Sequence, residues 1–451
     1  MQVQFIGATG TVTGSKYLVS YGRNKVLIDC GLFQGVSNVR KRNWAELPFD
    51  INQLDAVLLT HAHIDHSGYL PALAKHGFKG PIYTTKLTHS LCKVLLPDAG
   101  FLQEEDARYA NKKKYSKHNP AEPLYTEDDA RKVLKQFKNV PEQQELELVG
   151  GLKAYFNPVG HILGACSIRL EYQGKSITFS GDVGRCNDAV MYPPKPLLAT
   201  DYLVLESTYG DKLHSEIDAK AVMAEIINRT LNRGGIVLMP AFAVGRAQLI
   251  LHYLERLLAQ DKIKRVPIFL NSPMAIKATE IFMDSYHAHK LTPEDCEAMD
   301  SITTYVKTMD ESIALTARRE PCIIISASGM ASGGRVLHHL KALVGNHRNT
   351  VLFMGFQSPG TRGFSLVNGA EHIKIHGEYH PVKAEIINLD SMSSHADYGE
   401  ITRWLEKMPH KPERVFITHG ESVAADALRL HLTEQFSWQV EVPDYLQKVE
   451  L

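Results

Sequence analysis

The first 206 residues contain a succession of short strand-like runs, several of which end at an acidic residue or a histidine. Runs such as KVLIDCG, AVLLTH, KSITFSGD and YLVLEST carry the β-branched and aromatic residues typical of strands, and helical patterns such as GYLPALAKHG lie between them. Polar residues stand at or just past the ends of these runs: Asp29, His61, His161, Asp182 and Glu206. Because a sheet scaffold builds its sites on the loops at strand ends, the pattern predicts a β-rich domain with a polar site at a sheet edge.

From about residue 208 the pattern changes to an alternation of strands and helices. GGIVLMPA precedes GRAQLILHYLERLLAQ, VPIFLN precedes MAIKATEIFMDSYH, and PCIIISAS precedes GGRVLHHLKALVG. This βαβ order, with apolar strands, predicts a second module built on a parallel sheet. After about residue 384 the first style returns with AEIINL, a helix and RVFITHGE.

Charge and cysteine content exclude several classes of protein. Lys+Arg and Asp+Glu are equal at 50 each, so any nucleic-acid binding must come from local basic patches. The six cysteines show no CxxC spacing and are typical of thiols in a reducing cytoplasm. MQVQFIGATGTVTGS lacks a basic segment followed by an apolar one, and the chain has no long apolar span. We therefore expect a cytoplasmic protein with no membrane partner.

The segment HAHIDH, residues 61–66, directly follows an apolar run and has the spacing of a metal site. In a strand-end loop, alternate residues point the same way, so His61 and His63 can share one metal ion. Asp65 and His66 lie on the adjoining turn and can face a second ion. Imidazole together with carboxylate suits Zn²⁺, although ligand type alone also allows Mn²⁺ or iron. The alternative interpretation is a histidine-rich surface turn.

Two metal ions need more ligands than this segment supplies, and three other strand-like runs end in suitable residues. Each of these residues alone is more often a core or surface residue than a ligand. Placed alike after β-rich runs, they complete a set in which His161 joins His61 and His63, His419 joins Asp65 and His66, and Asp182 bridges both ions. The predicted cofactor is two Zn²⁺ per chain, with Mn²⁺ as an alternative, and the predicted ligands are His61, His63, Asp65, His66, His161, Asp182 and His419.

HAHIDH with Asp29, His161 and Asp182 resembles the metallo-β-lactamase superfamily, and the later segments resemble its RNA-cleaving β-CASP branch. The likeness covers nearly the whole chain. Eight separated motifs follow the family order: LVLESTYGD at 203–211, PAFAVGRAQ at 240–248, NSPMA at 271–275, SGMASGGRV at 328–336, GFQSPGTRG at 355–363, IHGEYHPVKAEI at 375–386, SSHAD at 393–397 and THGE at 418–421.

The resemblance implies an α/β fold, in which an αββα metallo-β-lactamase sandwich carries an inserted β-CASP domain with a parallel βαβ sheet. The expected domains are the first part of the metallo-β-lactamase domain at 1–207, the β-CASP domain at 208–383, and the C-terminal return at 384–451. These boundaries agree with the change and return of the sequence pattern described above.

The family pattern assigns Glu206 as its first special acidic residue, His395 to its second motif and His419 to its third. RNA-directed members carry His at the third position, whereas DNA-directed relatives tend to carry Val, so the resemblance favours RNA. The chain departs from the usual Ser-Ala-His-Ala-Asp at Ser394, which stands in the Ala place and puts an additional hydroxyl beside His395.

The predicted function is a zinc-dependent ribonuclease of RNA processing or decay, acting as an endonuclease, a 5′-exonuclease or both, and leaving 5′-phosphate and 3′-hydroxyl ends. In this hypothesis His395, held by Glu206, is the general acid, Asp182 bridges the metals, and Asp29 orients the ligating histidines. A purely structural His395–Glu206 pair is the alternative for those two residues. The alternative function is a small-molecule metallo-hydrolase acting on a thioester, lactone or β-lactam, which needs neither the inserted module nor that pair.

The expected partner is single-stranded RNA, because we expect the active site in a cleft between the two modules; the chain is expected to be a monomer or homodimer. The Gly-rich stretch 329–334 precedes a helical pattern, so its N–H groups can cradle a phosphate. The Lys112–Lys114 run either steers RNA or is a solvated face. The candidate RNA-binding residues, each of which could also be purely structural, are Ser272, Arg246, Ser328, Gly333, Gly334, Arg335, Ser393 and Ser394.

Overall fold

The computed structural model describes residues 1–114, 116 and 118–451 of the chain. It divides into two compact units: unit 1 comprises Met1–Leu213 and His395–Leu451, and unit 2 comprises His214–Ser394. Unit 2 is therefore an insertion into the chain of unit 1.

Most strands are short; in unit 1 many follow one another directly, and in unit 2 most alternate with helices. In chain order they are β1 (Gln2–Phe5), β2 (Tyr17–Tyr21), β3 (Asn24–Ile28), β4 (Ala56–Leu58), β5 (Ile82–Thr85), β6 (Phe137–Val140), β7 (Glu145–Glu147), β8 (Lys153–Pro158), β9 (Cys166–Tyr172), β10 (Lys175–Phe179), β11 (Tyr202–Glu206), β12 (Val237–Pro240), β13 (Ile268–Leu270), β14 (Thr303–Tyr305), β15 (Ile323–Ser326), β16 (Thr350–Met354), β17 (His372–Ile375), β18 (Glu378–Pro381), β19 (Glu385–Leu389), β20 (Arg414–Thr418), β21 (Val440–Glu441) and β22 (Lys448–Glu450).

In the sequence, some helices of unit 1 precede the insertion and others follow it, and the remaining helices belong to unit 2. In chain order they are α1 (Ser37–Arg40), α2 (Ile64–Ser67), α3 (Leu70–Lys75), α4 (Lys86–Lys113), α5 (Glu127–Val133), α6 (Ala219–Asn232), α7 (Arg246–Ala259), α8 (Pro273–Asp284), α9 (Pro293–Ser301), α10 (Met309–Ala317), α11 (Val336–Leu343), α12 (Arg362–Val367), α13 (Tyr398–Leu405) and α14 (Ser422–Phe436).

Unit 1 contains two seven-stranded mixed sheets, with the strand orders β22-β1-β2-β3-β4-β5-β6 and β21-β20-β11-β10-β9-β8-β7. Apolar side chains of the two sheets meet in one core. The rings of Tyr17 and Phe179 lie 5.4 Å apart, and those of Phe5 and Phe416 lie 5.3 Å apart, each pair joining one sheet to the other. Helix α4 contacts strands of the first sheet and helix α14 contacts strands of the second. The result is the αββα sandwich predicted from the sequence.

Unit 2 is built on a six-stranded sheet with the order β14-β13-β15-β12-β16-β19, in which every pairing is parallel. A separate two-stranded hairpin of β17 and β18 accompanies it. The central strands are fully buried, as parallel strands covered by helices are expected to be. The fold class expected from the sequence, including the parallel βαβ sheet, is confirmed.

The second boundary between the units differs from the one expected at 383/384. Strand β19 pairs in parallel with β16, Thr350 opposite Glu385 and Met354 opposite Leu389, so it lies in the sheet of unit 2. Unit 1 resumes only at His395. The strand-like composition of AEIINL predicts a strand, but composition does not specify which sheet that strand joins.

The basic run near residue 112 is exposed where it is described. Lys112 and Lys113 end helix α4 and, like Lys114, are exposed to solvent, whereas Tyr115 and Lys117 of the same run lie outside the described residues. Among the described residues, no helix combines the length and the apolar character needed to cross a membrane.

Candidate metal centre

Residues from five strand ends meet on unit 1. Strands β3 and β4 are parallel neighbours in the first sheet, and β10, β11 and β20 are parallel neighbours in the second, so their carboxyl ends share an edge within each sheet. These ends, and the loop after β8, carry Asp29, the segment His61–His66, His161, Asp182, Glu206 and His419.

Close backbone contacts fix these loops. Ser15 N donates to Asp65 O at 2.9 Å, and Cys30 N donates to His66 O at 2.7 Å. A Cβ added at Gly31 would lie 1.5 Å from Asp65 O, so only glycine allows this approach. His419 N donates to Ala8 O at 2.7 Å. The donor-bearing loops are therefore held by the main chain before any metal is considered.

The first cluster consists of His61, His63, His161 and Asp182. His63 Nδ1 lies 3.2 Å from His61 Nε2 and 3.1 Å from His161 Nε2. Asp182 Oδ2 lies 3.3 Å from His61 Nε2 and 3.4 Å from His161 Nε2. These four atoms surround one point.

The second cluster consists of Asp65, His66, Asp182 and His419. His66 Nε2 and His419 Nε2 lie 3.2 Å apart, and Asp65 Oδ2 lies 3.4 Å from His419 Nε2. The other oxygen of Asp182, Oδ1, lies 3.1 Å from His66 Nε2 and 3.5 Å from His419 Nε2. Asp182 thus offers one carboxylate oxygen to each cluster.

The donor set fits divalent metal ions. With Zn–N distances of about 2.0–2.1 Å, the corners of a tetrahedron lie roughly 3.3 Å apart. The donor spacings above, 3.1 to 3.5 Å, match that value. Asp182 Oδ1 is buried without a hydrogen-bond partner in the described residues, although a buried carboxylate oxygen needs a compensating charge or donor. A cation in each cluster would supply it.

Asp29 fixes the orientation of His66 instead of joining either cluster. Its Oδ2 accepts a hydrogen bond from His66 Nδ1 at 2.7 Å and another from Thr60 Oγ1 at 2.9 Å, and Oδ1 accepts from Thr60 N at 2.8 Å. Because the Asp29 carboxylate accepts the proton on His66 Nδ1, Nε2 is the ring nitrogen left to face the second cluster. Asp29 adopts a left-handed φ of 57°, which aspartate tolerates better than most residues.

Burial lowers the pKa of all three histidines of the first cluster and so favours their neutral form. It lowers the pKa of His61 to about 3, with a further contribution from His66, and lowers the pKa of His161 well below its ordinary value. A neutral imidazole has the lone pair that a metal ion needs.

His395 stands beside the clusters and is bound to Glu206. Its Nδ1 lies 3.2 and 3.1 Å from the two carboxylate oxygens of Glu206, and its Nε2 lies 3.9 Å from Asp182 Oδ2. Burial alone would lower the pKa of His395, but the carboxylates of Glu206 and Asp182 outweigh it and raise that pKa to about 9. The imidazole is 16 % exposed, whereas the carboxylate of Glu206 is 1 % exposed. His395 can therefore reach a substrate, and Glu206 cannot.

Two threonines hydrogen-bond to carboxylates and histidines of the site, and neither was predicted from the sequence. Thr208 Oγ1 donates to Glu206 Oε2 at 2.6 Å and lies 3.1 Å from His419 Nδ1. Since its only proton goes to the carboxylate, Thr208 accepts from His419 Nδ1, which leaves His419 Nε2 for the second cluster. Thr60 makes similar contacts in the first cluster. Its Oγ1 donates to Asp29 Oδ2 at 2.9 Å and lies 3.1 Å from His61 Nδ1. Their only signal in the sequence is proximity, since Thr60 directly precedes His61 and Thr208 follows Glu206 by two positions.

The candidate RNA-binding residues all belong to unit 2, and most of them follow carboxyl ends of its parallel strands. Ser272 caps helix α8 by accepting from Ala275 N at 3.2 Å. Ser328 Oγ accepts from Ser332 N at 3.3 Å. Gly334 has a left-handed φ of 76°, and a Cβ at Gly333 would meet no atom within 4 Å. The Gly-rich loop is thus open at Gly333.

The two arginines of this set are held by the protein. Arg335 Nη1 donates to Asn271 Oδ1 at 2.8 Å and to Val306 O at 3.0 Å. Arg246 begins helix α7 and is 5 % exposed. Ser393 is buried and Ser394 is half-buried. The contacts of Arg335 are those of a structural residue, and an RNA contact by any of these side chains stays a prediction.

Three family models match the chain. They are the metallo-beta-lactamase superfamily at residues 9–218, the Beta-Casp domain at 247–366, and the Zn-dependent metallo-hydrolase RNA specificity domain at 379–443. A solved structure titled a protein of unknown function, from Enterococcus faecalis V583, matches with a TM-score of 0.53 at 14% identity, covering 100% of this chain and 99% of that one. That likeness concerns the fold alone.

Curated relatives match almost the full length of this chain. The chain is 34% identical to Ribonuclease TTHA0252 of Thermus thermophilus, with 93% of each chain covered. It is 31% identical to an RNase J-like protein of Methanocaldococcus jannaschii, covering 93% of this chain and 92% of that one. It is 29% identical to the transcription termination factor FttA of Cenarchaeum symbiosum, covering 99% and 70%. The resemblance seen in the sequence is confirmed: the chain belongs to the β-CASP family of the metallo-β-lactamase superfamily of metal-dependent hydrolases.

Proposed function

We propose that this protein is a two-zinc ribonuclease that hydrolyses phosphodiester bonds of single-stranded RNA and leaves 5′-phosphate and 3′-hydroxyl ends. The observation that carries the proposal is the pair of four-donor clusters sharing Asp182, with the His395–Glu206 pair 3.9 Å from that carboxylate. The RNA specificity model at 379–443, which includes His395 and His419, and the ribonuclease names of two relatives support RNA as the substrate.

The two clusters would hold the metal ions through neutral histidines and carboxylates. His61, His63 and His161 would bind one ion and Asp65, His66 and His419 the other, with Asp182 shared. Bound divalent ions lower the pKa of water to roughly 7–9 and offset phosphodiester charge. The preformed donor spacing means that little rearrangement of the protein is needed.

The chain's own contribution to bond cleavage is the proton on His395. The Glu206 carboxylate accepts from Nδ1 and favours the protonated imidazole, so Nε2 also carries a proton. In the reaction the oxygen of a water molecule bonds to phosphorus and the O3′–P bond breaks. Nε2 transfers its proton to the departing O3′, and the attacking water releases a proton to solvent. The imidazole becomes neutral and keeps its hydrogen bond to Glu206. General acids of this kind contribute about 10²- to 10⁴-fold to rates.

The test uses zinc-loaded protein and single-stranded RNA labelled at either end, with a 5′-monophosphate or a 5′-triphosphate. We expect products with 5′-phosphate and 3′-hydroxyl ends, and the pattern of labelled fragments separates endonuclease from 5′-exonuclease action. Asp182→Ala is the matched inactive control. Hydrolysis of a chromogenic lactam without cleavage of RNA would overturn the proposal in favour of a small-molecule hydrolase.

A further inference from the structure

An exposed segment of unit 1 combines three consecutive basic residues with a tryptophan. Arg40 ends helix α1, and Lys41–Trp44 form a single 3₁₀ turn. Trp44 is 65% exposed, whereas Trp404 and Trp438 are 2% and 8% exposed. Single exposed apolar side chains are common on protein surfaces, so Trp44 is notable here because three cationic side chains adjoin it.

The segment is anchored to the loop that borders the metal centre. Asn43, which is buried, accepts from Phe33 N at 2.9 Å and donates to Phe33 O at 2.8 Å. Phe33 follows Leu32, whose N donates to Ile64 O at 2.9 Å in the metal-binding segment. The same loop begins at Asp29, which orients His66. Arg40–Trp44 is thus fixed in place by residues that also fix the centre.

The basic charges of the segment are not neutralised by the described part of the protein. The Arg42 guanidinium lies 4.1 Å from the ring centre of Tyr445 and 5.5 Å from that of Phe33, and its Nη1 is buried without a hydrogen-bond partner in the described residues. Within the same residues, neither Arg40 nor Lys41 takes part in an ion pair. The three positive charges are therefore not paired within the described residues and can attract an anionic partner.

We propose that Arg40–Trp44 is a binding surface for single-stranded RNA, on which a base stacks on Trp44 and neighbouring phosphates lie against Arg40 and Lys41. Every base offers a π-face for stacking, but only an unpaired base exposes it, which favours a single strand. Basic neighbours around the ring favour RNA over an apolar protein surface. This inference rests on the proposed function, since it describes how the same strand is held beyond the metal centre.

Tryptophan fluorescence provides the first test, because Trp44 is the exposed one of the three tryptophans. Rapid mixing of zinc-loaded protein with oligouridine should give a saturable quench before turnover. With fluorescently labelled oligouridine, Trp44→Ala should weaken binding about 10-fold, and Trp44→Phe should retain most of the affinity because a phenyl ring also stacks. The matched control is Phe101→Ala, which removes a 44%-exposed aromatic ring from helix α4 and should leave the affinity unchanged.

Salt dependence provides the second test. Each phosphate contact with single-stranded nucleic acid contributes a slope of about −0.7 in log affinity against log salt. Replacing both Arg40 and Lys41 by Ala should make the slope shallower by about 1.4. Lys264→Ala, which removes an exposed lysine of unit 2, should leave it unchanged. Turnover of a dinucleotide, whose single phosphodiester must lie at the metal centre to be cleaved, should stay the same in all these variants.

Unchanged RNA affinity in Trp44→Ala together with an unchanged salt slope in the double variant would overturn the proposal and leave a protein as the occupant of the surface. The outcome for the catalytic function is separate. A protein that shows the Trp44-dependent quench but cleaves no RNA would overturn the ribonuclease proposal and support the surface. A protein that cleaves RNA but whose RNA affinity does not depend on Trp44 would support the ribonuclease proposal and overturn the proposed binding surface.

Discussion

Thr208→Val replaces one hydroxyl between Glu206 and His419 with a methyl group of similar size. Thr208 is 5% exposed, so its packing is retained while two polar contacts are lost. One is the 2.6 Å hydrogen bond to the Glu206 carboxylate, and the other is the acceptor 3.1 Å from His419 Nδ1. Without that acceptor, no other contact within the described residues holds the proton of His419 on Nδ1 and leaves the lone pair on Nε2.

The magnitude follows from the kind of contact removed. A hydrogen bond to a charged group is worth about 1.5–3 kcal/mol. Groups that orient metal-binding histidines typically change metal affinity by about 10- to 100-fold. We therefore expect zinc affinity to fall by about 10- to 100-fold at the second cluster, and to stay unchanged at the first, whose histidines do not contact Thr208. Thr208→Ser keeps the hydroxyl and should restore the affinity.

The assay is a competition titration of metal-free protein with zinc against a chelating dye, which resolves a strong and a weak site. Thr60→Val is the comparison variant, because Thr60 Oγ1 lies 3.1 Å from His61 Nδ1 of the first cluster and donates to Asp29, which orients His66 of the second. Thr208→Val should therefore weaken the second site alone, whereas Thr60→Val should weaken the first site and, through Asp29, the second. Equal loss at both sites in Thr208→Val, or a Thr208→Ser protein as weak as Thr208→Val, would refute the reasoning and indicate a general packing defect.

The other predictions concern the shared carboxylate, the general acid and the metals. Asp182→Ala should abolish hydrolysis and lower the zinc content measured by elemental analysis, because it removes a donor from both clusters; wild-type turnover would contradict the assignment. His395→Ala should keep its zinc and lose about 10²- to 10⁴-fold in turnover, a loss that shrinks on RNA with a 3′-bridging sulfur; Glu206→Gln should be milder, and zinc loss in step with activity would contradict both. Chelation should lower the melting temperature, since zinc at 100 times its Kd stabilises the folded chain by about 2.7 kcal/mol.

The grouping of His61, His63, Asp65 and His66 could be expected from the sequence, because strand ends place alternate residues on one side and because the spacing is dense. The two threonines could not. Thr60 and Thr208 act by fixing which ring nitrogen carries a proton, and that depends on distances between residues such as Thr208 and His419, 211 positions apart. Local patterns carry no information about such contacts.

The same limit explains strand β19. Its sequence, EIINL, has the β-branched residues of a strand, and the structure confirms a strand there. Its partner is set by unit 2, where it pairs with β16 at the edge of the six-stranded sheet and is only half-buried. A half-buried edge strand has neither the continuous apolar run of a central parallel strand nor a clear alternation, so its sheet could not be assigned.

The insertion of unit 2 between β11 and β20 has a consequence for the order in which the protein matures during synthesis. All four donors of the first cluster precede residue 183, whereas the second cluster needs His419, which the ribosome adds after the whole insertion. Pairing of β11 with β20 closes a loop of about 200 residues, and prior folding of unit 2 would shorten the span that must be ordered. A nascent or truncated chain would therefore hold one metal ion at most, and arrival of the second would mark the moment when the two ends of unit 1 have met.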